Sequence, residues 1–204
     1  MTDRPYHHGH LRDTLLAEAE RTLREQGVEQ LSLRDLARQA GVSHAAPRRH
    51  FADRQALLGA LAAAGFARLA DEVAAAIEAA GPDFPARLRA TCAAYVRFAT
   101  EDTALMELMF TAKSGSASGE LAAAEAASGE LAAGVGRLFT MVGELIKEGQ
   151  QSGQLPPGDP ERIRLLFMAI ARGIAELVIP GGPGAGQADG LLDDAVALFT
   201  RGRG

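Results

Sequence analysis

The chain is predicted to be all-α, with an N-terminal three-helix, helix-turn-helix head joined by one long helix to a helical C-terminal body. Three observations lead there. Ala, Leu, Glu and Arg, all good helix formers, fill the stretches between Gly- and Pro-bearing breaks. Those stretches carry apolar residues three and four apart, and no strand-like alternation runs beyond four residues. Near the N-terminus, two short segments flank Gly41-Val42-Ser43 and lead into a run of more than twenty helix-forming residues. At 204 residues, roughly 70% of the unfolded chain's surface can be buried, so the core needs neither disulfides nor metal. The division expected is a head over 1–54 and a body over 55–204.

The first helix is expected from about Leu11 to Gln26. Leu11, Leu15, Ala19 and Leu23 form its apolar stripe, and Gly27 ends it. The second begins after Ser32, which with Asp35 makes a capping box, and it buries Leu33, Leu36, Ala37 and Ala40. Gly41 turns the chain and Val42 plugs the turn. Ser43 is expected to cap a third helix over about His44–Phe51. Asp53 caps the fourth, whose face of Leu57, Leu58, Leu61, Phe66, Leu69, Val73 and Ile77 carries it to about Ala79. Such a helix is roughly 40 Å long, enough to join two bodies mechanically.

Five more helices follow, at about Phe84–Thr100, Ala104–Phe110, Glu120–Gln151, Pro160–Ile179 and Gly190–Arg201. Pro160–Ile179 is apolar around most of its girth, which requires cover on more than one face. A second subunit is the expected cover, with Ala169 and Gly173 allowing close approach. Leu191, Leu192, Ala195, Val196 and Phe199 give the last helix one docking stripe.

Charge is distributed unevenly. The net charge is −5, yet residues 1–54 hold nine arginines against eight acids, while the remainder holds twelve basic and eighteen acidic residues. All five histidines fall within the first fifty positions. A mildly basic head on an acidic body suits a polyanion partner at one end. The single cysteine, Cys92, permits no intrachain disulfide and fits a reducing compartment. No secretory h-region and no membrane-length apolar run is present, so a cytoplasmic protein with no membrane partner is expected. Gly-rich phosphate loops, His-Glu-x-x-His spacing and serine-nucleophile motifs are missing, and no histidine follows residue 50. The expectation is a non-enzyme without cofactor.

Two short helices about a Gly-Val-Ser turn meet the helix-turn-helix pattern, and His44, Arg48, Arg49 and His50 make the third too polar for a core. The run from Leu31 to Leu57, and Phe51-Ala52-Asp53-Arg54 above all, resembles the DNA-binding signature of the TetR family. Tyr6-His7-His8-Gly9-His10-Leu11-Arg12 is similar to the start of many members. The strong part of the resemblance covers residues 6–61.

That resemblance implies a regulator that binds palindromic double-stranded operator DNA as a homodimer and is released by a small, mainly apolar effector. The DNA-contacting residues it implies are Arg4, Ser32, Arg34, Ser43, His44, Ala45, Ala46, Arg48, Arg49, His50 and Arg54. His44, Ala45 and Ala46 would face base edges, with the alanines offering apolar contact to a thymine methyl. Arg49 would reach guanine or phosphate, and His50 and Arg54 phosphate. Arg34 would reach a base or the backbone, and Arg4 would enter the minor groove from a flexible arm. Two departures stand out. Arg48 replaces a usual Tyr, so operator preference does not transfer, and Pro47 removes one backbone hydrogen bond.

In the body, Met168-Ala-Ile-Ala-Arg172-Gly173-Ile174 resembles one subgroup's Trp-x-x-x-His-Gly-Leu, with Met168 and Arg172 replacing Trp and His. Met106, Met109, Phe110, Phe139, Met141, Phe167 and Met168 are candidate pocket lining, with Cys92, Tyr95 and Arg172 beside them. Each is also a plausible core residue at helical spacing. His7, His8 and His10 have no carboxylate or thiol arranged with them, so a metal site is not expected. A same-fold ligand-binding or adaptor protein that ignores DNA and a small helical enzyme are the rival readings.

Overall fold

The structure, a computed structural model, describes residues 11–115, 124–179 and 181–200. Its helices are α1 (Leu11–Gln26), α2 (Leu33–Gln39), α3 (Arg54–Ala79), α4 (Phe84–Glu101), α5 (Thr103–Gly115), α6 (Ala124–Gln151), α7 (Pro160–Val178) and α8 (Ala188–Thr200). Single 3₁₀ turns lie at Val28–Gln30 and Pro47–Arg49, and no strand occurs among the described residues. No helix of the described residues is long and apolar enough to cross a membrane.

The contacts divide the chain into two units, one of residues 1–65 and 104–133, the other of 66–103 and 134–204. The first unit therefore runs past residue 54 into α3 and takes in α5 and the start of α6. Leu11, Leu15, Ala19 and Leu23 of α1 are buried together with Leu36 and Ala37 of α2 and Leu57, Leu58 and Leu61 of α3. Leu105, Met106, Leu108 and Met109 of α5 join that buried set. The join is close: a Cβ on Gly65 would stand 2.7 Å from the Met109 sulfur. Glycine is what lets α5 and α3 meet there. At the surface, Arg12 of α1 donates to Glu130 of α6 at 2.6 Å.

In the second unit α4 packs on α7 and α8, and α7 packs on α8. Asp83 caps α4 by accepting from the Ala86 amide at 3.0 Å, and Asp159 caps α7 through the Glu161 amide at 3.0 Å. Both are followed by proline within the first turn, where no amide is missed. Leu88, Phe98, Ile146 and Phe167 are among the buried residues, and Phe167 meets Phe199 edge-on at 5.6 Å. Arg89 of α4 grips Asp189 and Asp193 of α8 at 2.8 and 2.5 Å. Those two hydrogen bonds, Asp193 first, raise its pKa above the ordinary value against a small desolvation cost.

A charged group is sunk within this unit. Arg164 of α7 is 8% exposed, lies 4.4 Å over the Phe139 ring of α6, and pairs with Glu161. Its stem packs along the helix joint while the ring face receives the cation.

Helix α7 is covered on one side only. Phe167, Ala171, Ile174 and Ala175 are buried, whereas Leu165, Leu166 and Leu177 are exposed. Large apolar side chains exposed among the described residues are Leu165, Leu166, Leu177, Ile179 and Leu198, all on α7 or α8 or at the end of α7. Ala169 is exposed on the same side, and a Cβ on Gly173 would meet nothing within 4 Å.

Candidate nucleic-acid interface

The site starts from how α2 begins and ends. Ser32 Oγ accepts from the Asp35 amide at 3.1 Å and donates to the Asp35 carboxylate at 2.6 Å, so the expected capping pair forms. At the other end Gly41 N–H donates to Arg38 O at 3.2 Å and Val42 N–H to Ala37 O at 2.9 Å. That pair of bonds is the Schellman closure, and Gly41 holds the left-handed φ of +68° it requires. The tight exit aims the chain directly into the next segment.

That segment departs from expectation. In place of a third α-helix over His44–Phe51, the chain makes turns at His44–Ala46 and one 3₁₀ turn at Pro47–Arg49. Proline is the physical reason: Pro47 has no N–H to return to Ser43, so the bond that would continue a helix through it cannot form. The carbonyl of Ser43 accepts instead from Ala46 N–H at 2.9 Å, and Pro47 O from His50 and Phe51 N–H at 2.9 Å each. No side chain caps the turn, so Ser43 contributes its carbonyl and not its hydroxyl.

Proline also supplies an anchor. Within residues 43–50, Pro47 is the buried one, and Ser43, His44, Ala45, Arg48, Arg49 and His50 are exposed. Phe51 is 2% exposed, with the Arg12 guanidinium 5.8 Å from its ring centroid. The segment is thus pinned at Pro47 and Phe51 and turns its polar side chains outward between them. Arg34 on α2 is exposed as well, and Arg38 pairs with Asp35 at 3.0 Å. Arg4 and the three leading histidines lie outside the described residues.

The start of α3 is built from the two residues that follow. Asp53 accepts from the Ala56 amide at 2.8 Å, as a cap should. Arg54 Nε donates to Leu31 O at 2.9 Å and its Nη2 to Val28 O at 2.6 Å. Ser32 and Arg54, both expected at the DNA, are already committed to the head's own backbone and side chains.

The candidate pocket residues divide between the units. Met106, Met109 and Phe110 fall in the first, and Cys92, Tyr95, Phe139, Phe167, Met168 and Arg172 in the second. Cys92, Met109 and Phe167 are at most 2% exposed, and Tyr95 is buried too. Arg172 is exposed and pairs with Glu176 at 3.0 Å. Burial pushes the Cys92 thiol up to about 12, with Arg89 opposing it, and the Tyr95 phenol up to about 12, with Arg172 opposing it.

The second unit also holds an open groove of about 550 Å³. Ile77, Met141 and Leu145 give it an apolar floor, and Thr140, Glu144, Arg137 and the Arg87–Glu148 pair line its walls. Of the expected pocket residues Met141 is among its lining and the others are not. Positions 137, 141, 144, 145 and 148 share one flank of α6, so their helical spacing was the available signal. Among the described residues, no cluster of three or more His, Cys, Asp or Glu is placed to hold a metal.

Comparison with known proteins fits this geometry. Residues 15–61 match the family described as bacterial regulatory proteins, tetR family. Residues 88–200 match the tetracyclin repressor-like C-terminal domain. A protein of unknown function from Rhodococcus sp. RHA1 is 41% identical over 98% of each chain, with a TM-score of 0.85. PfmR, a TetR-family transcriptional regulator from Thermus thermophilus, is 22% identical over 93% of this chain and 98% of its own, with a TM-score of 0.67. AibR, solved with isovaleryl coenzyme A and operator DNA, is 18% identical over 93% and 98%, also at 0.67. No curated protein matches the chain in sequence.

Proposed function

The chain belongs to the TetR family of bacterial regulatory proteins, and on that footing we propose that it is a ligand-controlled repressor binding a palindromic operator as a homodimer. The observation that carries the DNA half is the outward-facing set His44, Arg48, Arg49 and His50, on a segment pinned by buried Pro47 and Phe51. Exposed arginines on a turn pinned from beneath, next to a capped helix, suit phosphate contact and base readout together. AibR, with this fold, has been solved with both an acyl-coenzyme A and DNA, so one such architecture accommodates both kinds of partner.

The dimer half rests on the exposed apolar residues of α7 and α8. A second copy pairing through these helices covers Leu165, Leu166, Leu177 and Leu198, and Ala169 and Gly173 admit a closely packed helix. Two heads carried by a two-fold pair meet successive major grooves when they are roughly 34–36 Å apart. The effector is proposed to be small and mainly apolar and to bind the body, where the groove floored by Ile77, Met141 and Leu145 is a candidate entry. It releases DNA to the extent that it prefers the state with the wrong head spacing, and no further. No catalytic activity, cofactor or metal is proposed.

The test is binding to duplexes selected by the protein from a random pool. Replacing Arg48 and Arg49 together by Gln is expected to weaken binding at least ten-fold and to reduce the slope of log affinity against log salt by roughly one to two. Unchanged affinity and slope would contradict the assignment.

A further inference from the structure

We propose that Arg54 is a positioning residue: its guanidinium closes the helix-turn-helix into a ring and thereby holds the recognition segment in place. The inference rests on the DNA-binding reading for its consequence, but not for its mechanics.

Val28 and Leu31 lie in the connection between α1 and α2, and Arg54 is the first residue of α3. The fork from Arg54 to the Leu31 and Val28 carbonyls, at 2.9 and 2.6 Å, joins backbone 23 and 26 residues apart. Between these ends hangs everything that meets DNA in the proposed function: α2, the Gly41 turn and the segment 44–50. Closing a loop at its base removes much of the freedom of what lies within it.

The segment needs such help. It has one 3₁₀ turn, the poorer of the helical hydrogen-bond geometries, and no side-chain cap. A piece this short has no helix stability of its own. Its placement comes from Pro47 and Phe51 beneath it and from the two ends of the loop. Arg54 suits the second task because its planar fork can reach two carbonyls at once, which a lysine ammonium on a flexible stem cannot do in the same fixed geometry. The Phe51-Ala52-Asp53-Arg54 run thus has three internal uses: Phe51 as a plug, Asp53 as a helix cap and Arg54 as a clasp.

Two variants and two readouts separate a clasp from a direct phosphate contact. Arg54→Lys keeps the charge and loses the fork; Arg54→Gln loses both. In the DNA-free protein, amide hydrogen exchange across residues 32–53 is expected to quicken about ten-fold or more in both variants, with protection in α4, α7 and α8 unchanged. Unchanged exchange over 32–53 would overturn the proposal, and so would loss of protection throughout the chain, which marks a residue of general stability.

On duplexes, both variants are expected to lose about ten-fold in the ratio of affinity for a wild-type-selected sequence over a scrambled one, with the salt slope unchanged. Wild-type binding by Arg54→Lys, with the slope lowered by roughly 0.9 in Arg54→Gln and the ratio intact, would assign Arg54 to a phosphate and overturn the clasp. Should the wild-type protein select no duplex, the DNA-binding reading fails, and the exchange experiment still decides the clasp by itself.

Discussion

Cys92 illustrates how burial settles the chemistry of a single side chain. At 1% exposure its thiol is pushed from 9.0 to about 12, so near neutral pH it holds its proton and is a poor nucleophile. Native protein is expected to resist a maleimide at pH 7.5 on a timescale of hours and to react fully once unfolded in denaturant. Rapid native labelling would show an accessible thiolate instead. The same burial has a consequence for stability. Above pH 9 an unfolded chain releases the thiol proton while the folded one retains it, and Tyr95, raised from 10.0 to about 12, behaves alike. Fewer protons on the unfolded state mean that stability falls as pH rises from about 9 toward 12. Thermal melts across that window are expected to show a steeper fall for the wild type than for Cys92→Ala.

Individual side chains also mark what the sequence concealed. The apolar stripe of α1, the Ser32–Asp35 capping pair, Gly41 and the Asp53 cap were all legible, because each depends on neighbours within a few positions. Arg54 was not. Its partners lie more than twenty residues away, and nothing in a local pattern distinguishes an arginine aimed at backbone carbonyls from one aimed at a phosphate.

Among the elements, long helices were easier to read than short ones. Periodicity accumulated over many turns places α3, α4 and α7 close to their expected ends. The third element failed because Pro47 acts on a piece only two turns long, where one lost bond decides between an α-helix and a 3₁₀ turn. The joint between α6 and α4 was likewise hidden. A Cβ on Gly149 would run into the Phe84 ring and stand 2.8 Å from Leu155 Cγ, so the absence of a side chain is what admits Phe84. Gly149→Ala is expected to destabilise the second unit by about 1–3 kcal/mol despite the better helix propensity of alanine. A fall in melting temperature of roughly 2–12 °C reads this out, and an unchanged or higher value would show that Phe84 can step aside.

The candidate pocket belongs to neither scale alone. Methionines and aromatics at helical spacing suggested a lining, yet Met109 and Phe167 are close-packed core, and of that set Met141 lines the open groove, beside Ile77 and Leu145. Core and pocket residues obey the same periodicity, so only three-dimensional placement separates them.

For the molecule as a whole, α7 and α8 leave apolar surface exposed within the chain, the surface on which the proposed dimer rests. Leu166 is 59% and Leu198 75% exposed, so neither holds up its own unit, and changing them tests association without undoing the fold. Leu166→Glu combined with Leu198→Glu is expected to halve the mass seen by sedimentation velocity while leaving helical content intact. A dimer that survives both changes would place the interface elsewhere. The sequence pattern asks for cover on more than one side of α7; within the chain one side is covered and the other is exposed.

Selection of duplexes from a random pool, with the bound protein counted by sedimentation of the complex, tests the central claim most directly. An inverted repeat held by two chains, its half-site centres one helical turn or a small multiple of it apart, is the expected result. Failure to enrich any sequence at low salt, or a single chain bound to an asymmetric site, would contradict it.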